Sequence, residues 1–106
     1  MRPPRVQRSR LRYPLDVVLG SAAHVRLMRV LLHDVGGPVS VTDAARLAGL
    51  SPTGARKALE ALAGVGMVER IGTGRAQTYG PTQANSLGHL LTQLFAQEQR
   101  AYEALL

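Results

Sequence analysis

Between Thr42 and Tyr79, glycine, serine, threonine and proline fall where they fix the start and stop of each short piece of secondary structure. Thr42 can cap a short helix, with Asp43 favourable at its positive end, and Gly49 is placed to end it in a left-handed conformation. Leu50 follows as the apolar plug of the turn. Ser51 then caps a second helix, and Pro52 takes its first position, where the missing N–H is harmless. Gly64 and Gly66 stop that helix. Met67 to Ile71 and Gln77 to Tyr79 read as two short strands joined through Gly72-Thr73-Gly74-Arg75-Ala76. Their alternation is imperfect, so the hairpin rests mainly on the glycines. Two short helices meeting at a tight turn, followed by a hairpin, leave few architectures open.

The flanking segments extend this frame. Ser21 reads as an N-cap for a helix running to about Val35, stopped by Gly36-Gly37-Pro38. Arg26, Arg29 and His33 form one polar stripe on it, and almost everything else is apolar, as in a central helix packed on several neighbours. Val39-Ser40-Val41 reads as an extended piece, a third strand beside the hairpin. Ala44, Ala45, Leu47 and Ala48 supply the buried side of the next helix. Ala55, Ala58, Leu59 and Leu62 recur at helical spacing and face the core, which turns Thr53, Arg56, Lys57 and Glu60 outward. After Pro81 a last helix starts near Ser86, with Leu87, Leu90, Leu91, Leu94, Phe95, Tyr102 and Leu105 marking one face. The expected fold is mainly α with a small β-wing, a winged helix-turn-helix carrying an additional C-terminal helix. Residues 1–13 read as a flexible basic arm, 14–84 as the winged domain and 85–106 as the terminal helix.

Composition agrees with helices packed on helices. The chain of 106 residues has 45% hydrophobic but only 4% aromatic residues and no Trp, so Leu, Val and Ala must build the core. No apolar run reaches the length of a membrane span, and the basic N-terminus lacks the apolar segment of a signal peptide. With no Cys there is no disulfide framework and no thiolate site, and cytoplasmic residence is expected. The net charge of +6 is unevenly placed. Arg2, Arg5, Arg8, Arg10 and Arg12 crowd the first thirteen residues without an acid, leaving the remainder almost neutral. A polyanionic partner is implied.

Three segments have the chemistry for such a partner. A helix fits the major groove of B-DNA, and on the helix opened by Ser51, Arg56 can give two hydrogen bonds to guanine O6 and N7. Lys57 suits a phosphate as a compact point charge, Thr53 can meet a base or the backbone, and Gly54 permits close approach. In the wing turn, Thr73 and Arg75 are placed for a phosphate or the adjacent minor groove. In the arm, Arg5, Arg8, Arg10 and Arg12 can enter a narrow minor groove. His24, His33 and His89 lack ligand spacing, so surface or capping roles are expected and no metal site. The acids are scattered singly, no Ser/His/Asp set stands out, and no enzymatic activity or cofactor is expected.

Residues 15–80 resemble a winged helix-turn-helix of bacterial ArsR-like and MarR-like regulators. The Leu27-Met28-Arg29-Val30-Leu31-Leu32 helix and the run Val41-Thr42-Asp43-Ala44-Ala45-Arg46-Leu47-Ala48-Gly49-Leu50-Ser51 carry the likeness. So does Leu59-Glu60-Ala61-Leu62 leading to Gly66-Met67-Val68-Glu69-Arg70. Leu19-Gly20-Ser21, Asn85-Ser86-Leu87, Leu94-Phe95 and Glu98 extend it towards the winged segment that precedes small nucleotidyltransferase domains. The resemblance implies a recognition helix at about 52–65 in the major groove and a wing at about 67–80 on the backbone. By matched position, Ser51, Thr53, Arg56 and Lys57 become the helix contacts and Arg75 the wing contact. Metal sensing of the ArsR type needs Cys or grouped ligands, which this chain lacks.

The expected function is sequence-specific binding of double-stranded DNA and transcriptional regulation, by a homodimer joined through the C-terminal helix. Two alternatives stay open at this level: a winged helix that docks on other proteins, and the regulatory DNA-binding module of a larger nucleotidyltransferase-type protein.

Overall fold

Side-chain caps set the starts of four of the five α-helices described. The computed structural model describes residues 12–83 and 85–106. A five-residue helix α1 (Pro14–Val18) leads to α2 (Ala22–Arg29), whose N-cap Ser21 accepts the His24 N–H at 3.1 Å. Ser40 accepts the Asp43 N–H at 3.1 Å to open α3 (Val41–Ala48), and Ser51 accepts the Gly54 N–H at 3.0 Å to open α4 (Pro52–Gly64). Strands β1 (Val68–Ile71) and β2 (Thr78–Pro81) follow, and Asn85 caps the long α5 (Ser86–Ala104). Each such cap contributes about 1 kcal/mol by satisfying a helix N–H that has no partner within the helix.

Helix α2 does not end where its α geometry ends. Val30–Asp34 continue as a π turn, closed by the Val35 N–H donating to the Val30 carbonyl at 2.9 Å. The expected helix to about Val35 is therefore helical nearly to its end, but widened in its last turn. The widening lets consecutive residues Val30 and Leu31 both reach the core.

The two strands pair antiparallel, with Arg70 opposite Tyr79. The third strand expected at Val39–Val41 shrinks to one residue pair. Val39 and Tyr79 exchange both backbone hydrogen bonds, at 2.9 and 2.8 Å, and nothing further pairs. The reason is the cap: Ser40, rather than Thr42, opens α3, so Val41 already belongs to the helix. Gly80 is buried where this crossing is tightest, and a β-carbon there would stand 3.2 Å from Ile71 and 3.3 Å from Pro38.

A single core joins these pieces. Leu27, Met28 and Leu31 of α2 and its π turn meet Leu59 and Leu62 of α4, Met67, Val68 and Tyr79 at the hairpin base, and Leu91 and Phe95 of α5. Gly49 ends α3 at φ +70°, and Leu50 lies half-buried against the core. Leu47, expected inside, is 43% exposed. The buried side of α3 is made of Ala44, Ala45 and Ala48 alone, and these small residues let α4 pack close. The expected single face of α5 also divides. Leu87, Leu91 and Phe95 turn to the body, whereas Leu90, Leu94, Tyr102 and Leu105 are each more than half exposed. Among the described residues no helix is long and apolar enough to cross a membrane.

Candidate nucleic-acid interface

Helix α4 has two opposed faces. Ala55, Ala58, Leu59 and Leu62 are buried, which leaves Thr53, Arg56, Lys57 and Glu60 exposed on the outer side. Ser51 is also exposed, but its hydroxyl oxygen is engaged by the Gly54 N–H. A β-carbon on Gly54 would stand 3.0 Å from that oxygen, so the glycine's local effect is to give the cap room.

The hairpin turn is built to hold one shape. Gly72 sits at φ +83°, and a β-carbon there would lie 2.9 Å from the Ala76 carbonyl oxygen. Gly74, at φ +59°, opens a single 3-10 turn over Gly74–Ala76. The Ala76 N–H donates to the Thr73 carbonyl at 3.1 Å and the Gln77 N–H to the Gly74 carbonyl at 3.2 Å. Thr73 and Arg75 stand exposed on this turn. Left-handed backbone costs a residue with a β-carbon about 1–2 kcal/mol, which is why glycine occupies these corners.

The turn and α4 flank a common cleft. Ser40, Val41 and Thr42 form one wall, Arg56 another, and Gly74, Arg75 and Gln77 the third. The structure thus brings Arg56 and Arg75 together from separate elements. Ser51, Thr53, Lys57 and Thr73 are exposed outside that lining. Thr42 and Gln77 also line it, with no mark in the local sequence pattern. Their contribution depends on how the start of α3 packs beside the hairpin, and no local spacing announces that. Of the arm, Arg5, Arg8 and Arg10 lie outside the described residues, and Arg12 is exposed with its guanidinium 5.4 Å from the Tyr13 ring centre.

Two carboxylates close in sequence to the cleft residues are engaged elsewhere. Glu60 follows Arg56 by one helical turn, a spacing that allows a pair, yet it faces Arg70 of β1 at 3.8 Å. Asp43, next to Thr42, pairs with Arg46 at 3.4 Å. Among the described residues neither Arg56 nor Lys57 nor Arg75 forms an ion pair.

The strongest ion pair lies elsewhere. Arg29 holds Glu98 of α5 with two hydrogen bonds, at 2.7 and 2.9 Å, and its guanidinium lies 5.3 Å from the Phe95 ring centre. Hydrogen bonding to Arg29 holds the Glu98 carboxyl below its ordinary value. Partial burial opposes this, and the charges of Arg29 and His33 reinforce it. Nothing in the sequence spacing links positions 69 residues apart. His24 is a structural histidine, its Nδ1 lying 2.7 Å from the Val17 carbonyl oxygen and tying α1 to α2. Among the described residues no three His, Asp or Glu side chains gather as a metal ion would require.

No protein-family model, curated protein or solved structure matches the chain.

Proposed function

We propose that this protein is a winged helix-turn-helix that binds double-stranded DNA in a sequence-dependent way and regulates transcription. Helices α3 and α4 make the helix-turn-helix, α4 enters the major groove, and the β1–β2 hairpin is the wing on the adjoining backbone. One observation carries the reading. The outer side of α4 offers Thr53, Arg56 and Lys57, the neighbouring turn offers Thr73 and Arg75, and no carboxylate neutralises these cations among the described residues. The reading implies a non-enzymatic, cytoplasmic protein.

Selection of bound duplexes from random DNA tests it, followed by titration of the enriched sequence at several salt concentrations. The expected result is an enriched motif bound at least about a hundredfold more tightly than unrelated duplex, with affinity falling steeply as salt rises. Failure to enrich any sequence, with no salt-sensitive binding, would remove the proposal.

A homodimer belongs to the same reading. The helical register sets exposed Leu90, Leu94, Ala101 and Leu105 along one strip of α5. Two such strips pairing about a twofold axis would cover them and present the two α4 helices to half-sites about 10–10.5 bp apart on a palindromic sequence. Sedimentation at micromolar concentration checks this: a dimer that Leu94→Glu dissociates is expected, and a clean monomer for the unaltered protein contradicts it.

A further inference from the structure

The sequence alone divides labour simply, with Arg56 reading guanine and Arg75 holding backbone. The cleft argues against that division. Arg56 and Arg75 come from different elements and line the same concavity, with the Thr42 hydroxyl and the Gln77 amide beside them. Two like charges lining one cleft repel, weakly where water screens them, and both gain when an anion lies between them. Among the described residues neither arginine has a carboxylate partner. Glu60, the carboxylate one turn from Arg56, is drawn to Arg70, and Asp43 is drawn to Arg46. The backbone carrying Arg75 is held by the 3-10 turn and by Gly72, where a β-carbon would be strained and crowd the Ala76 carbonyl. Guanidinium groups match phosphate oxygens in paired, planar fashion, and the phosphodiester is the anion a duplex supplies.

We propose that Arg56 and Arg75 close on one and the same phosphodiester of the DNA backbone. This rests on the DNA-binding reading above and deepens it. Arg56 then positions the duplex, and base-edge contact falls to Thr53 and to Lys57, which takes a guanine edge in place of the phosphate expected of it; the two share the outer side of α4 one turn apart and lie outside the cleft. The grip spans α4 and the hairpin, so it also fixes the angle at which the helix meets the groove.

Counterion release distinguishes one shared phosphate from two separate ones, because the salt slope counts phosphates neutralised rather than arginines. Binding of the full chain to its selected duplex is measured against salt for the unaltered protein, Arg56→Ala, Arg75→Ala and the double variant. With a shared phosphate, each single variant shifts the log–log slope little, because the other arginine remains. The double variant then lowers the slope by about 0.9. With separate phosphates the singles each lower it by about 0.9 and the double by about 1.8, which overturns the proposal.

A duplex series with single methylphosphonate substitutions sharpens the reading. One position should weaken the unaltered protein about tenfold and weaken the double variant hardly at all. Repeating the selection with each single variant completes it. Arg56→Ala is expected to keep the motif and Lys57→Ala to degrade it. A motif altered by Arg56→Ala overturns the shared grip while leaving DNA binding intact. If the unaltered protein binds no duplex even at low salt, the DNA reading itself fails, and the grip with it. Both arginines are exposed, and unchanged melting curves for the variants exclude unfolding as the cause.

Discussion

Arg29 and the pair Arg56 and Arg75 are the same residue type in opposite situations. Arg29 is held by a carboxylate through two short hydrogen bonds and lies over an aromatic ring, at the joint between α2 and α5. Its charge is engaged within the molecule, and its guanidinium lies over Phe95. Arg56 and Arg75 have no carboxylate partner among the described residues and flank an open cleft. What separates a structurally engaged arginine from one left unpaired is therefore its neighbours. The α2–α5 joint supplies a carboxylate and a ring, whereas among the described residues no carboxylate lines the α4–hairpin cleft, and Glu60 and Asp43 pair with other arginines.

The largest effect expected from this contrast lies at the joint. Phe95 is buried and bridges α5 to the core, so Phe95→Ala should destabilise the fold by about 3–5 kcal/mol through lost burial and the cavity left behind. Arg56→Ala should change stability by less than about 0.5 kcal/mol, as befits an exposed residue with no internal partner. Denaturant titration of both variants checks the pair. Comparable losses would mean that Arg56 has internal work and would blur the distinction.

An intermediate effect belongs to the hairpin turn. Gly72→Ala combines a left-handed backbone with a β-carbon 2.9 Å from the Ala76 carbonyl, and a cost of about 1–3 kcal/mol is expected. The strain falls on the segment that carries Arg75. On the proposed DNA-binding reading, affinity for duplex should therefore drop in this variant even where the protein is fully folded, measured at low temperature where folding is complete. Unchanged affinity would show that the turn's shape is irrelevant to the cleft.

The sequence discloses these two regions unequally, for a physical reason. Caps, glycine stops and helical periodicity are local, so Ser21, Gly49, Ser51 and the inward face of α4 are legible from neighbouring residues. Thr42 was a plausible cap by the same local logic, but Ser40 competes for the same helix start and wins two residues earlier. Long-range geometry leaves no such trace. The Arg29–Glu98 pair, the reduction of the third strand to the Val39–Tyr79 contact, and the meeting of Arg56 with Arg75 all depend on how elements pack. The apolar face of α5 was visible as a face. Which half of it meets the body was not, because Leu90 and Leu91 are equivalent in the pattern and only packing on the α2 joint separates them.

The smallest expected effect is the pH dependence of the joint. Glu98 is more than half exposed, so the ion pair contributes on the order of 1 kcal/mol or less despite its good geometry. Its sign is nonetheless fixed. The carboxyl is held below its ordinary value in the fold, first by hydrogen bonding to Arg29, so the folded form favours the ionised group. The stabilisation is then fully present above the unfolded-state value, shrinks as pH falls below it, and is gone once pH passes beneath the lowered folded value. Glu98→Gln, which cannot ionise, removes this dependence. The gap in melting temperature between the unaltered protein and Glu98→Gln should be a few degrees at neutral pH and close in acid. High salt should narrow it at neutral pH as well, because exposed charges are screened. DNA affinity at neutral pH should be the same for both proteins if the two arginine regions act independently. A loss of affinity in Glu98→Gln would show that the joint at α5 communicates with the cleft, and the contrast between them would have to be redrawn as a coupling.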